Sequence, residues 1–111
     1  MGRRHIWKPR QVTRALIRLG FTRDRKRGKG DHVWFYKRVT CLNGEPHTIV
    51  TMVDAGSADI PHTTMRYIRD ALALDDERLW AAYKGDYTAE MYEEYLLTIP
   101  KNQLMPPAMR R

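Results

Sequence analysis

Cysteine is almost missing from this chain of 111 residues: Cys41 stands alone. No intrachain disulfide can therefore form, and there is no Cys-x-x-Cys pair for zinc or redox chemistry. That usage fits a reducing compartment, and a cytoplasmic location is expected. No run approaches the ~20 apolar residues that span a bilayer, and the basic N-terminus leads into a mixed amphipathic segment instead of an apolar signal core. The sequence thus reads as carrying neither membrane anchor nor secretion signal. Gly-x-x-x-x-Gly-Lys-Ser/Thr and Gly-x-Ser-x-Gly are both absent, which disfavours nucleotide hydrolysis and serine-hydrolase chemistry. No recognition-helix signature for DNA and no internal repeat is found. The length excludes a large multi-site enzyme. Glycine and proline are few, 7 and 6, and 42% of the residues are hydrophobic, so the chain has enough apolar material to fold.

Positive charge is what the chain has in excess. Twenty Lys+Arg stand against 13 Asp+Glu, a formal +7, with a pI near 9.9. Such a balance favours a polyanionic partner. The excess is confined to one half: residues 1–60 carry 13 basic and 5 acidic side chains, a net +8, while residues 61–111 carry 7 and 8, a net −1. Its densest part is the turn holding Arg25, Lys26, Arg27 and Lys29, punctuated by Gly28 and Gly30.

The patterning predicts an α+β chain. Pro9 suits a first helical position, Val12, Ala15, Leu16 and Leu19 follow at helical spacing, and Gly20 stops the helix with Phe21 folding back on its end. Arg14 and Arg18 lie on its solvated face. A short strand after Phe21 runs into the basic turn. His32 to Val39, dense in aromatic and β-branched residues, reads as a second strand, and Asn43-Gly44 marks a hairpin into a third over Thr48 to Val53. Pro61 opens a helix carrying Met65, Ile68, Ala71 and Leu72. Asp75 or Asp76 caps a third helix with Leu79, Trp80 and Tyr83. Thr88 caps a fourth, to about Leu97, with Met91, Tyr95 and Tyr92 as its apolar candidates. The expected organisation is an α-β-β-β-α domain over residues 1–75 with a three-stranded antiparallel sheet, a helical extension packed on it over 76–99, and a flexible basic tail with Pro100, Pro106 and Pro107 over 100–111.

Three segments carry a family resemblance. Val-Thr-Arg-Ala-Leu-Ile-Arg-Leu-Gly-Phe, residues 12–21, looks like an opening helix ending in Leu-Gly-Phe. Arg27-Gly28-Lys29-Gly30-Asp31-His32 looks like an Arg-x-x-Gly-Ser-His element. Residues 60–68, Ile-Pro-His-Thr-Thr-Met-Arg-Tyr-Ile, are similar to Ile-Pro-x-Gly-Thr-Leu-Arg-x-Ile at the start of a last helix. In this order they resemble the HicA family of mRNA-interferase toxins, on a double-stranded-RNA-binding-domain-like fold, across roughly residues 9–74. The resemblance implies a type II toxin that cleaves mRNA without a metal and so blocks translation, with His32 as its catalytic histidine. It also implies a HicB-like antitoxin that covers the site. Two departures stand out: Asp31 replaces the family's serine, and the turn between Phe21 and His32 is about two residues longer than the family's usual one.

The residue chemistry agrees with such a reading without requiring it. An imidazole can exchange protons with a ribose 2′-hydroxyl or a leaving 5′-oxygen near neutral pH. Arg25, Lys26, Arg27 and Lys29, with Arg66 on the second helix, are candidates to hold the RNA backbone and the charge building on phosphorus; a solvated charge run is the plain alternative. Trp34 and Tyr36 share a strand face with His32 and either stack bases or lie beneath the 76–99 extension or a partner. The spacing of His5, His47 and His62 is not that of a recognised metal site, and Asp31, Asp54 and Asp59 form no evident two-metal cluster, so neither a metal nor a cofactor is expected. The acidic aromatic stretch with Tyr83, Asp86, Tyr87, Glu90, Tyr92, Glu93, Glu94 and Tyr95 is a capping helix pair, a surface for oligomerisation or the antitoxin, or a cover over the basic turn. A noncatalytic RNA-binding module of the same fold is the alternative function, which Asp31 favours. A homo-oligomer remains open.

Overall fold

A computed structural model describes residues 5–104. The first helix, α1 (Pro9–Arg18), buries Val12, Ala15 and Leu16 along one face. It begins on the fixed φ of Pro9, with the Lys8 N–H donating to Gln11 Oε1 at 2.9 Å. It ends in a Schellman pair: Phe21 N–H donates to Leu16 O and Gly20 N–H to Ile17 O, both at 3.0 Å. The reversal needs Gly20 at φ +93°, and it drops Phe21 into the core.

Three strands form an antiparallel meander, β1 (Thr22–Asp24), β2 (His32–Thr40) and β3 (Pro46–Asp54), in the order β1-β2-β3. The five-residue loop between β2 and β3 turns at Asn43 and Gly44, at φ +66° and +76°, the left-handed pair that Asn-Gly supplies at low steric cost. Register between β2 and β3 is unbroken from His32↔Asp54 to Thr40↔Pro46. Odd-numbered residues Phe35, Val39, Ile49, Thr51 and Val53 are buried under the helices. Even-numbered residues face away from them.

α2 (His62–Leu72) places Met65, Ile68 and Leu72 in the core. α3 (Asp76–Lys84) is capped by Asp75, whose carboxylate accepts from Arg78 N–H at 2.8 Å, and packs on α1. α4 (Ala89–Leu96) is capped by Thr88. Leu79, Ala82, Tyr92 and Leu96 join the same apolar cluster as Leu16 and Phe35, so the extension completes the core of the preceding elements. The chain is thus mixed α+β, with helices on one face of a three-stranded sheet. No described helix is long and apolar enough to cross a membrane.

Two expectations change. On α4 the buried aromatic is Tyr92, and Met91 is 48% exposed. The helix is rotated so that Tyr92 Oη donates to Leu72 O at 2.8 Å and Tyr95 Oη to Ala73 O at 2.9 Å, satisfying carbonyls at the end of α2 that the helix itself leaves unpaired. The segment from Pro100 is packed as far as Leu104: Lys101–Leu104 is a 3-10 turn with Leu104 buried, and Leu42 N–H donates to Ile99 O at 2.9 Å. The remainder of the expected tail, residues 105–111 with Pro106 and Pro107, lies outside the described residues.

Candidate functional site

Strand β2 sets the geometry. Its period of two puts His32, Trp34, Tyr36 and Arg38 on the face away from the helices. His32, the first residue of the strand, is exposed, and its N–H donates to Lys29 O at 3.1 Å, closing the basic turn onto the strand. At the other side of the turn, the Asp24 carboxylate accepts from Lys26 N–H at 3.1 Å, a local Asx contact that starts the reversal.

The turn folds back over the sheet. Arg27 places its guanidinium carbon 3.8 Å from the Trp34 ring centroid, a cation–π contact. Gly28 makes this approach achievable: at φ +101° a Cβ would overlap the His32 carbonyl oxygen and come within 2.9 Å of Trp34 Cδ1. Arg25, Lys26 and Lys29 are exposed and take part in none of the ion pairs among the described residues.

The structure therefore puts His32, Trp34 and Tyr36 on one sheet face with Arg27 docked on Trp34, and Arg25, Lys26 and Lys29 belong to the turn that adjoins it. The helical extension leaves that face open at Tyr36, Arg38 and Val50, which are exposed, while α3 lies on α1. The two aromatic rings differ: one face of Trp34 is taken by Arg27, while Tyr36 is 36% exposed. Arg66 is exposed on α2, in the helical layer, and among the described residues no ion pair, hydrogen bond or ring contact links it to the turn. Arg38, Val50 and Met52 also belong to the open face, since Tyr36 pairs with Val50 and Trp34 with Met52. The two-residue period of His32, Trp34 and Tyr36 continued one step could have found Arg38, and alternation along Thr48 to Val53 could have found Val50 and Met52.

Two carboxylates share the corner of His32. Asp54 is its register partner, but its oxygens accept from Gly56 N–H at 3.1 Å and Ser57 Oγ at 3.2 Å. Asp31 accepts Ala55 N–H on its backbone oxygen at 2.8 Å, and its carboxylate lies in the space that a side chain on Gly56 would need. Both acids are thus tied to the loop that follows β3. Among the described residues no three His, Cys, Asp or Glu side chains converge as metal ligands.

Other perturbed groups lie elsewhere. At the hairpin end of the sheet, burial pushes the Cys41 thiol up, and burial together with Lys101 pushes His47 down. The acidic aromatic stretch faces β2 rather than the basic turn: Glu93 pairs with the Lys37 ammonium at 2.7 Å. Its role as a cover over that turn is not what the fold provides. Comparison with protein-family models, curated proteins and solved structures finds no match to this chain.

Proposed function

We propose that this protein is a metal-independent endoribonuclease acting on mRNA, the toxin of a type II toxin-antitoxin pair in the manner of the HicA family. The observation that carries the proposal is an exposed imidazole, His32, on an open sheet face with Arg27 docked there, next to a turn whose Arg25, Lys26 and Lys29 have no ion-pair partner among the described residues. In this reading His32 exchanges a proton with the ribose 2′-hydroxyl or the departing 5′-oxygen. Arg25, Lys26, Arg27 and Lys29 hold the phosphate and the charge that builds on it. Tyr36 offers its open ring to a base, and Arg66 is a more remote backbone contact. The α1-β1-β2-β3-α2 order supports a double-stranded-RNA-binding-domain-like fold, and the lone buried Cys41 supports a reducing cytoplasm. A HicB-like antitoxin would cover the open face.

A second reading, a noncatalytic RNA-binding module, is favoured by one feature: Asp31 and Asp54 beside His32 disfavour a phosphate pressed against the imidazole. Incubation of purified protein with a transcript in EDTA, beside His32→Ala, separates the two. The toxin reading expects cleavage by the wild type and loss in the variant. Equal cleavage by both would remove His32 from the chemistry, and binding without cleavage by a folded wild type would establish the module.

A further inference from the structure

The two edges of the sheet are built differently. At the β1 edge the strand is three residues long and contains Arg23 and Asp24, and α4 approaches the end of β2 through the Lys37–Glu93 pair. Short strands, charges and covering helices are the usual protections against strand addition. Among the described residues the β3 edge has little of this: the short turn Lys101–Leu104 comes near the strand, with Lys101 beside His47 at its start. Residues 46–53 contain no Lys, Arg, Asp or Glu, the strand is nine residues long, and its one-to-one register leaves no bulge.

The hydrogen-bond parity of β3 follows from the bonds that flank it. Cys41 N–H donates to Glu45 O, and Ala55 N–H donates to Asp31 O. Odd-numbered residues of β3 therefore bond β2, and the N–H and C=O groups of Thr48, Val50 and Met52 point out of the sheet. Two outward groups at the ends are exceptions. Pro46 has no N–H, and the Asp54 carbonyl already accepts from Ser57 N–H at 3.3 Å.

We infer that β3 pairs with β3 of a second copy of this chain, antiparallel, about a two-fold axis at Val50. In that register Val50 faces its own counterpart and Thr48 faces Met52, each pair exchanging both backbone bonds. Pro46 faces Asp54, so the missing N–H meets the carbonyl that is already engaged, while the Asp54 N–H reaches the Pro46 carbonyl. The strand is its own complement in backbone donors and acceptors, and in charge, because neither Asp54 meets an acid. The outer faces then join Tyr36 and Val50, 36% and 39% exposed, into one apolar row across the interface. The basic turns fall at opposite ends of the six-stranded sheet, separated along the strands by roughly the length of β3, about 30 Å at ~3.3 Å per residue. Two copies of +7 charge thus keep their densest clusters apart.

Light scattering after size exclusion tests this, since a monomer is 13.1 kDa and the dimer is twice that. Val50→Pro and Val50→Lys are informative because position 50 neither donates to β2 nor sits in the core, so both variants are expected to stay folded by circular dichroism and to run as monomers. Val50→Cys should form a disulfide with its own counterpart under mild oxidation, since hydrogen-bonded partners sit about 5.5 Å apart, within disulfide reach; Cys41 is buried. A wild type that is monomeric at its highest soluble concentration overturns the proposal, whatever segment then covers the edge. So does a dimer that persists in Val50→Lys, or failure of a dimeric Val50→Cys to cross-link.

Discussion

The contact between Arg27 and Trp34 gives the sharpest test of how the basic turn is held. At 3.8 Å from the ring centroid, on a half-exposed tryptophan, a cation–π contact contributes about 1 kcal/mol, between the ~0.5 of a fully exposed pair and the ~2 of a desolvated one. At 1.36 kcal/mol per factor of ten, its loss raises the undocked fraction of the turn about fivefold. Trypsin reads that fraction, because Arg25, Lys26, Arg27 and Lys29 are all cleavage points and cutting requires the turn to leave the sheet. When closing is faster than cutting, the rate follows the open population. Trp34→Leu should therefore be cut in residues 25–29 about five times faster than wild type, with the bonds assigned by mass spectrometry and global unfolding little changed. Arg27→Gln should give a similar increase at Lys26 and Lys29. The double variant should be no faster than either single one, since both remove the same contact. Additive effects, or a Trp34→Leu rate within twofold of wild type, would refute the docking role.

Two further predictions concern the scaffold. Tyr92→Phe removes the hydroxyl that satisfies Leu72 O in a fully buried site; a loss of about 1–2 kcal/mol is expected, read as a fall in Tm of roughly 4–8 °C. For His47, burial first and Lys101 second lower the folded pKa below 6.5, so the unfolded chain binds the extra proton within that window. Stability is then full above about pH 7 and falls as pH drops through 6.5 toward the lowered folded value, levelling below it. Tm measured against pH should show this slope in the wild type and lack it in His47→Gln.

The elements that were legible in the sequence are those whose ends are written locally. Pro9 and Gly20 bracket α1, Asn43-Gly44 turns the hairpin, and Asp75 and Thr88 cap their helices. The parity that puts His32, Trp34 and Tyr36 on one face was equally readable. What was not legible depends on distant partners. Met91 and Tyr92 are neighbours on a short helix, and periodicity alone does not choose between them; the choice is made by a hydroxyl reaching Leu72, twenty residues away in the chain. Trp7 is 1% exposed, bridges to Ile60 and donates its indole N–H to Asp76 at 2.8 Å. Its position just before the helix cap at Lys8, with Val12 at the fourth helical place, is the spacing of a hydrophobic staple, a signal that could have found it. That Arg27 covers Trp34 depends on the path of a glycine-bearing turn, which composition does not specify.

The distribution of ion pairs sharpens what the excess positive charge means. Lys8 pairs with Asp59, Lys37 with Glu93, Arg69 with Asp76 and Arg78 with Asp75. Two of the acids near the turn are committed to the backbone and to a hydroxyl, Asp24 to the Lys26 N–H and Asp54 to Gly56 and Ser57, and the Asp31 carboxylate lies against Gly56. Arg25, Lys26 and Lys29 therefore remain clustered without a carboxylate partner among the described residues, although the chain has 13 acidic side chains to distribute. A merely solvated face would tolerate interspersed acids at no cost, as the stretch from Asp75 to Glu94 does. Here four cations are kept together within five residues, and Arg27, the one of them with a ring partner, is held by a neutral ring that leaves its charge intact. That combination supports the proposed anionic ligand at the turn over a fold-stabilising role for it.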